Sequence, residues 1–180
     1  MRSTVFLTTL TLVFCFVARD AASQSPSSGA PVPCEKNPAY HKLDFWVGQW
    51  DVYDLKSNTK DGTNRIEKIL NGCALIENWK EASDGSEGKS LFYYQPVKAE
   101  WRQVWVTDAG PMKEKSEQSA YHGPGIRFQG EIPHRDGTSH LDRTTLVPLP
   151  HDLVRQTIEI SRDGGKTWEI VFDAEYRRSR

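Results

Sequence analysis

Neither sign of charge is in excess in this chain: 23 basic residues stand against 24 acidic ones, a formal net charge of −1. That balance gives no electrostatic case for nucleic acid or an anionic membrane as a partner. Long apolar runs are also missing. The longest, Val5–Ala18, is broken by threonines and Cys15 and falls short of the roughly 18–20 residues a membrane span needs, so no stable membrane insertion is expected. There is no G-x-S-x-G elbow, Walker loop or dinucleotide fingerprint, and no repeat period that would mark a propeller or solenoid. Five histidines are present, but no H-x-H or H-E-x-x-H spacing brings them together as metal ligands. Neither metal nor cofactor is therefore expected, with an axial haem ligand at His122 or on an inner strand face as the competing reading. Oligomeric state leaves no mark on the sequence.

What is present begins with a leader. Arg2, the apolar run and the small residues Ala21, Ala22 and Ser23 have the layout of a secretory signal over residues 1–23, which places the mature chain outside the cytoplasm, secreted or periplasmic. Acylation at Cys15 is the alternative; bulky Phe14 and Phe16 on either side oppose it. Residues 24–33, rich in Ser and Pro, cannot bury enough surface to order themselves and read as a flexible leader. Residues 34–180 form one domain. Two cysteines remain in it, Cys34 and Cys73, and in an oxidising compartment such a pair reads as a disulfide. Closing a loop of about 40 residues contributes roughly 3–4 kcal/mol on the chain-entropy account.

Asn37 and Pro38 have the chemistry of a helix start, with Tyr40, Leu43 and Trp46 on one face, and predict a helix of about two turns ending by Gly48. Everything after it reads as strand. Asp61-Gly62, Asn71-Gly72, Asp84-Gly85, Asp136-Gly137 and Asp163-Gly164-Gly165 punctuate runs rich in aromatic and β-branched residues. The strands fall at 49–54, 63–70, 74–82, 89–96, 101–107, 113–120, 126–133, 138–147, 153–161 and 167–177. Ten short strands joined by hairpins, with no interleaved helices, predict an all-β domain: a single antiparallel barrel or sandwich. Alternation assigns faces. Val154, Ile158 and Ile160 carry Gln156 inward. Trp168, Ile170, Phe172 and Tyr176 share a face in the last strand. Trp101, Gln103 and Trp105 face inward in the fifth, although Arg102, Val104 and Val106 compete.

Several side chains bear on function. In the third strand Glu77 shares a face with Leu75 and Trp79, while Ala74, Ile76 and Asn78 share the other. An inward Glu77 would have its carboxyl pKa raised by desolvation and would serve as a base or grip a polar ligand head; an outward one is merely solvated. Arg143 is either its inward partner or an outward arginine. Six tryptophans either fill the interior or line a cavity, with Trp79, Trp101, Gln103, Trp105 and Gln156 as the candidate ligand-binding set. Three functions follow: a barrel binding an apolar or amphipathic small molecule, a barrel isomerase, cyclase or hydrolase using Glu77 and Arg143, or a filled barrel serving as an interaction module. Ser161–Trp168 fits the S-x-D-x-G-x-T-W hairpin, in which Asp163 accepts hydrogen bonds from turn amides and Trp168 packs beneath.

Leu43–Tyr53, Gly72–Trp79 and Asp163–Arg178 together resemble a group of secreted bacterial lipocalin-like proteins of unknown function. The resemblance implies a calycin-type barrel of about 8–10 strands, with Gly48-x-Trp50 starting the first strand at a closed end. It also implies an arginine of the last strand, Arg177 or Arg178, packed across the Trp50 ring. The wider relatives include haem-binding barrels with a proximal histidine, and no matching His segment is present here. The group carries no established reaction, so no catalytic residue comes with it.

Overall fold

The computed structural model describes residues 33–180. The leader and signal expectations lie outside these residues. Ten antiparallel strands form one closed barrel: β1 (Gly48–Asp54), β2 (Lys60–Ile69), β3 (Ala74–Glu81), β4 (Glu87–Gln95), β5 (Glu100–Thr107), β6 (Met112–Glu117), β7 (Ile126–Pro133), β8 (Ser139–Leu149), β9 (Leu153–Ser161) and β10 (Glu169–Arg178). Each strand pairs with its neighbours in sequence, and β1 pairs with β10 to close the sheet and remove its edges. Among the described residues no helix is long and apolar enough to cross a membrane.

One end is plugged. The expected two-turn helix after Asn37 is instead two 3-10 segments, Pro38–His41 and Asp44–Trp46, because Leu43 between them leaves helical backbone angles; a further 3-10 segment, Cys34–Lys36, precedes Asn37. Asn37 still caps as expected, accepting from the Ala39 amide at 3.1 Å. Leu43, Trp46, Trp50 and Trp101 are fully buried beneath this plug. Trp101 donates its indole N–H to the Ala39 carbonyl (2.9 Å), and Trp50 donates to the Trp46 carbonyl (2.8 Å), so the polar edges of these two rings are satisfied, whereas the Trp46 indole N–H is buried with no partner. A Cys34–Cys73 disulfide ties the plug to the start of β3.

Gly48 holds the closing contact. Its φ of +143° suits glycine, and a Cβ there would land on the Arg178 guanidinium. Arg178 lies 3.8 Å over the Trp50 ring, donates to the Val47 carbonyl (2.8 Å) and pairs with Asp152. Arg177, the other candidate, stacks on Tyr53 instead, at 4.3 Å. Neighbouring residues of a strand face opposite sides of the sheet, so only one of the two arginines can cover this ring.

Two expectations for the strands change. Asp61-Gly62 is no turn: both lie inside β2, with Gly62 opposite Val52 and Glu81. In β10 the register shifts between Ile170 and Phe172, which turns Ile170 outward (55% exposed) while Phe172, Ala174 and Tyr176 keep the inner face. Such a bulge interrupts the period of two on which the face assignment rested. The Asp163 hairpin is built as its motif implies. Asp163 accepts from the Lys166 and Thr167 amides (3.0 and 2.9 Å), which with the Thr167 hydroxyl hold its carboxyl pKa down to about 2.

Candidate functional site: a cavity at the open end

Opposite the plug the barrel is hollow. A cavity of about 220 Å³ is lined by Glu77, Trp79, Glu81, Gln103, Trp105, Lys113, Lys115, Thr144, Gln156, Ile158, Phe172 and Tyr176. A ring of ten strands is wider than the eight whose interior side chains can just fill, which leaves room for it.

Its mouth is aromatic. Trp79 meets Phe172 edge-on, with centroids 6.4 Å apart, and Trp105 joins the lining from β5, its ring over Gly88, the strand partner of Trp79. Both tryptophans lean over inward glycines. A Cβ on Gly62 would come within 2.6 Å of the Trp79 ring, and one on Gly88 would overlap Trp105. A glycine inside a strand often marks such a close approach.

The floor is polar, and all strands but β1 and β7 contribute to it. One chain of hydrogen bonds starts at Gln156, whose side-chain oxygen accepts from the Tyr176 hydroxyl. Asn64 donates to Tyr176 (3.3 Å) and to Glu77 (2.7 Å). Ser90 donates to the other Glu77 oxygen (2.6 Å) and accepts from the Gln103 amide (3.0 Å). A second chain runs Lys113–Asp142–Lys115–Thr144: Lys113 reaches Asp142 at 2.7 Å, and Lys115 binds the other Asp142 oxygen and the Thr144 hydroxyl (2.6 Å). The side-chain oxygens of Asn64 and Gln103 are buried with no partner.

This wall shifts its own titrations. Burial raises the Glu77 carboxyl pKa, against the opposing hydrogen bonds from Ser90 and Asn64. Burial likewise pushes the Lys115 ammonium down to about 8, although Asp142 opposes that. For Asp142 burial acts upward but is outweighed by Lys115 and Lys113, and its pKa stays below the ordinary carboxylate value. Tyr176 is raised well above the phenol value by burial and by the neighbouring Glu77. A carboxyl and an ammonium thus face one cavity, each moved toward its neutral form.

Of the expected set, Trp79, Gln103, Trp105 and Gln156 line the cavity together, and Glu77 is inward at its floor. Trp101 is absent from the lining: it is fully buried at the plugged end, between Tyr40 and Tyr94. Arg143 does not reach Glu77. It lies on the outer face, bound to both Glu159 oxygens at 2.7 Å and 3.8 Å over the Trp168 ring. The pairing proposed for a barrel enzyme is therefore not assembled. His134 and His140 do touch, diagonally, at 2.7 Å beside the β7–β8 hairpin. The lining contains no histidine.

Lys113, Lys115, Asn64, Ser90, Asp142 and Thr144 were not anticipated. In β6, Met112–Glu117 reads MKEKSE and offers no alternating apolar residue to mark the inner face. Gly62 and Gly88 carried a signal, as glycines within strands, but Gly62 was absorbed into an apparent turn. No known family profile matches this chain, and no curated protein does.

Proposed function

We propose that the barrel is a binding protein for a small amphipathic molecule, held with its flat apolar part between Trp79, Trp105 and Phe172 and its polar end against the floor. The observation that carries this reading is the cavity itself, aromatic at the mouth and hydrogen-bonding at the base. Its volume limits the ligand. Pockets for drug-sized molecules run from roughly 300 to 1,000 Å³, so about 220 Å³ suits one or two rings and is small for a tetrapyrrole. The inward polar chain favours an amphipathic over a purely apolar guest, because such a guest meets buried groups that otherwise lack partners.

The Cys34–Cys73 bridge supports a working place in an oxidising compartment, secreted or periplasmic. The closed antiparallel barrel, with Arg178 over Trp50 at the plugged end, supports a calycin-like relationship.

The test is tryptophan emission during titration with a panel of single-ring, fused-ring and lipid compounds. A shift is expected for ring compounds, and it should vanish in the Trp79→Phe/Trp105→Phe protein, in which the buried Trp46, Trp50 and Trp101 remain. A panel that moves no emission would sink the reading.

A further inference from the structure

The floor of the cavity is asymmetric in what it leaves unmet. On the β6–β8 side two ammonium groups share one carboxylate. Both Asp142 oxygens are taken, one by Lys113 and one by Lys115, and Asp142 itself is fully buried behind them. An ammonium has three N–H donors. Lys115 uses two of them, on Asp142 and Thr144, and Lys113 uses one, on Asp142. Both side chains line the cavity, so this wall presents surplus positive charge and free donors.

The adjoining wall presents the opposite demand. Gln103 lies directly opposite Lys115 in the β5–β6 register and is 7% exposed. Its amide nitrogen is engaged by Ser90, and its oxygen is buried with no partner. A buried acceptor left unmet is unfavourable, so a guest toward which the Gln103 amide turns, and which donates to its oxygen, gains by that match.

We propose that the cavity takes a one- or two-ring aromatic acid carrying a hydrogen-bond donor beside its carboxylate, the carboxylate on Lys115 and Lys113 and the donor on the Gln103 oxygen. This rests on the binding reading above and specifies its ligand class. The ring lies between Trp79, Trp105 and Phe172. Two acidic residues also line the space. Glu81 stands near the mouth; Glu77 lies deeper, where burial already disfavours its charge, so its repulsion of an entering anion is reduced.

Calorimetric titration of the disulfide-bonded protein at pH 7 and low salt tests this with 2-aminobenzoate, benzoate, phenol and benzylammonium as probes; the amino group keeps one N–H free when the other bonds its own carboxylate. 2-Aminobenzoate should bind at least tenfold tighter than phenol, with benzylammonium weakest. Gln103→Leu should bring 2-aminobenzoate down to the level of benzoate. Lys113→Gln leaves the Lys115–Asp142 pair in place and should weaken both carboxylates several-fold without changing phenol. Lys115→Met should do so more strongly, and if it fails to fold because Asp142 is stranded, Lys113→Gln still decides. Phenol or benzylammonium binding as well as the carboxylates overturns the proposal and leaves the cavity reading standing. Silence from every probe also overturns the proposal, and the cavity reading falls with it only if the wider emission panel is silent too.

Discussion

At the scale of single residues, the buried titratable groups make stability depend on pH in opposite directions. Burial takes the Lys115 pKa from 10.5 to about 8 in the folded chain, with Lys113 adding to the fall and Asp142 and Glu77 opposing it. Between those values the unfolded chain keeps the proton and the folded chain has lost it. Raising the pH through that window therefore favours folding, with a slope of at most about 1.4 kcal/mol per unit. Glu77 acts the other way: its raised carboxyl keeps a proton that the unfolded chain has released, so its contribution falls as pH climbs above 4.5 toward the folded value. Urea unfolding measured from pH 4 to 10 should show the rise disappearing in Lys115→Met and the fall disappearing in Glu77→Gln. Identical profiles for wild type and variants would contradict the assignment. Asp142 adds a third component, present above its ordinary 3.8 and lost as pH drops below it.

At the scale of elements, the mouth is set by where β2 and β4 place their inward glycines. The two positions differ in what an added methyl would meet. At Gly62 it meets the Lys80 carbonyl as well as the Trp79 ring, and backbone cannot step aside; at Gly88 it meets only the Trp105 ring, which can swing. Gly62→Ala should therefore destabilise by roughly 1–3 kcal/mol, as overpacking does, read from the urea midpoint. Gly88→Ala should leave that midpoint nearly unchanged and alter the near-UV dichroism and ring-probe affinity through Trp105. Equal losses of stability at both sites would refute the distinction. The plug shows the same local logic with the opposite purpose: Gly48 gives up its side chain so that Arg178 can lie on Trp50, a contact worth about 0.5–2 kcal/mol depending on desolvation.

At the scale of the whole molecule, β1–β10 pairing closes the sheet while the disulfide anchors the plug across it. The bridged residues are 39 apart in sequence, so reduction returns to the unfolded chain an entropy equivalent to roughly 3–4 kcal/mol. At about 2–4 °C per kcal/mol for a chain near this size, the reduced protein should melt roughly 10 °C below the oxidised one in calorimetry. The cavity lies at the other end of the barrel, so ring-probe affinity below the melting range should survive reduction. Loss of binding in the still-folded reduced protein would place the plug and the pocket in one cooperative unit.

How much was legible follows from where alternation had something to mark. Val154, Ile158 and Ile160 carried Gln156 inward, and Trp101 and Trp105 carried Gln103, because apolar partners of period two fix a strand's face. Asx-Gly turns marked four of the nine connections, at Asn71-Gly72, Asp84-Gly85, Asp136-Gly137 and Asp163-Gly164, and the pair of cysteines pointed to their bridge. Four things lay beyond that pattern. In β6 the one apolar residue, Met112, lies on the outer face with Glu114, so nothing in the alternation marked the face of Lys113 and Lys115 as inward and only barrel closure turned them toward Asp142. Gly62 looked like a turn because the ring it accommodates belongs to another strand. Arg143 and Arg177 each had a plausible inward role, decided by registers that pair Arg143 with Glu159 and place Arg178 opposite Trp50. Sequence determined the strands and their count, since these depend on neighbours along the chain, and the staple, since residues 34–180 hold only two cysteines. The site joins residues from Asn64 to Tyr176 across eight strands, and only the stagger of the closed barrel brings their side chains together.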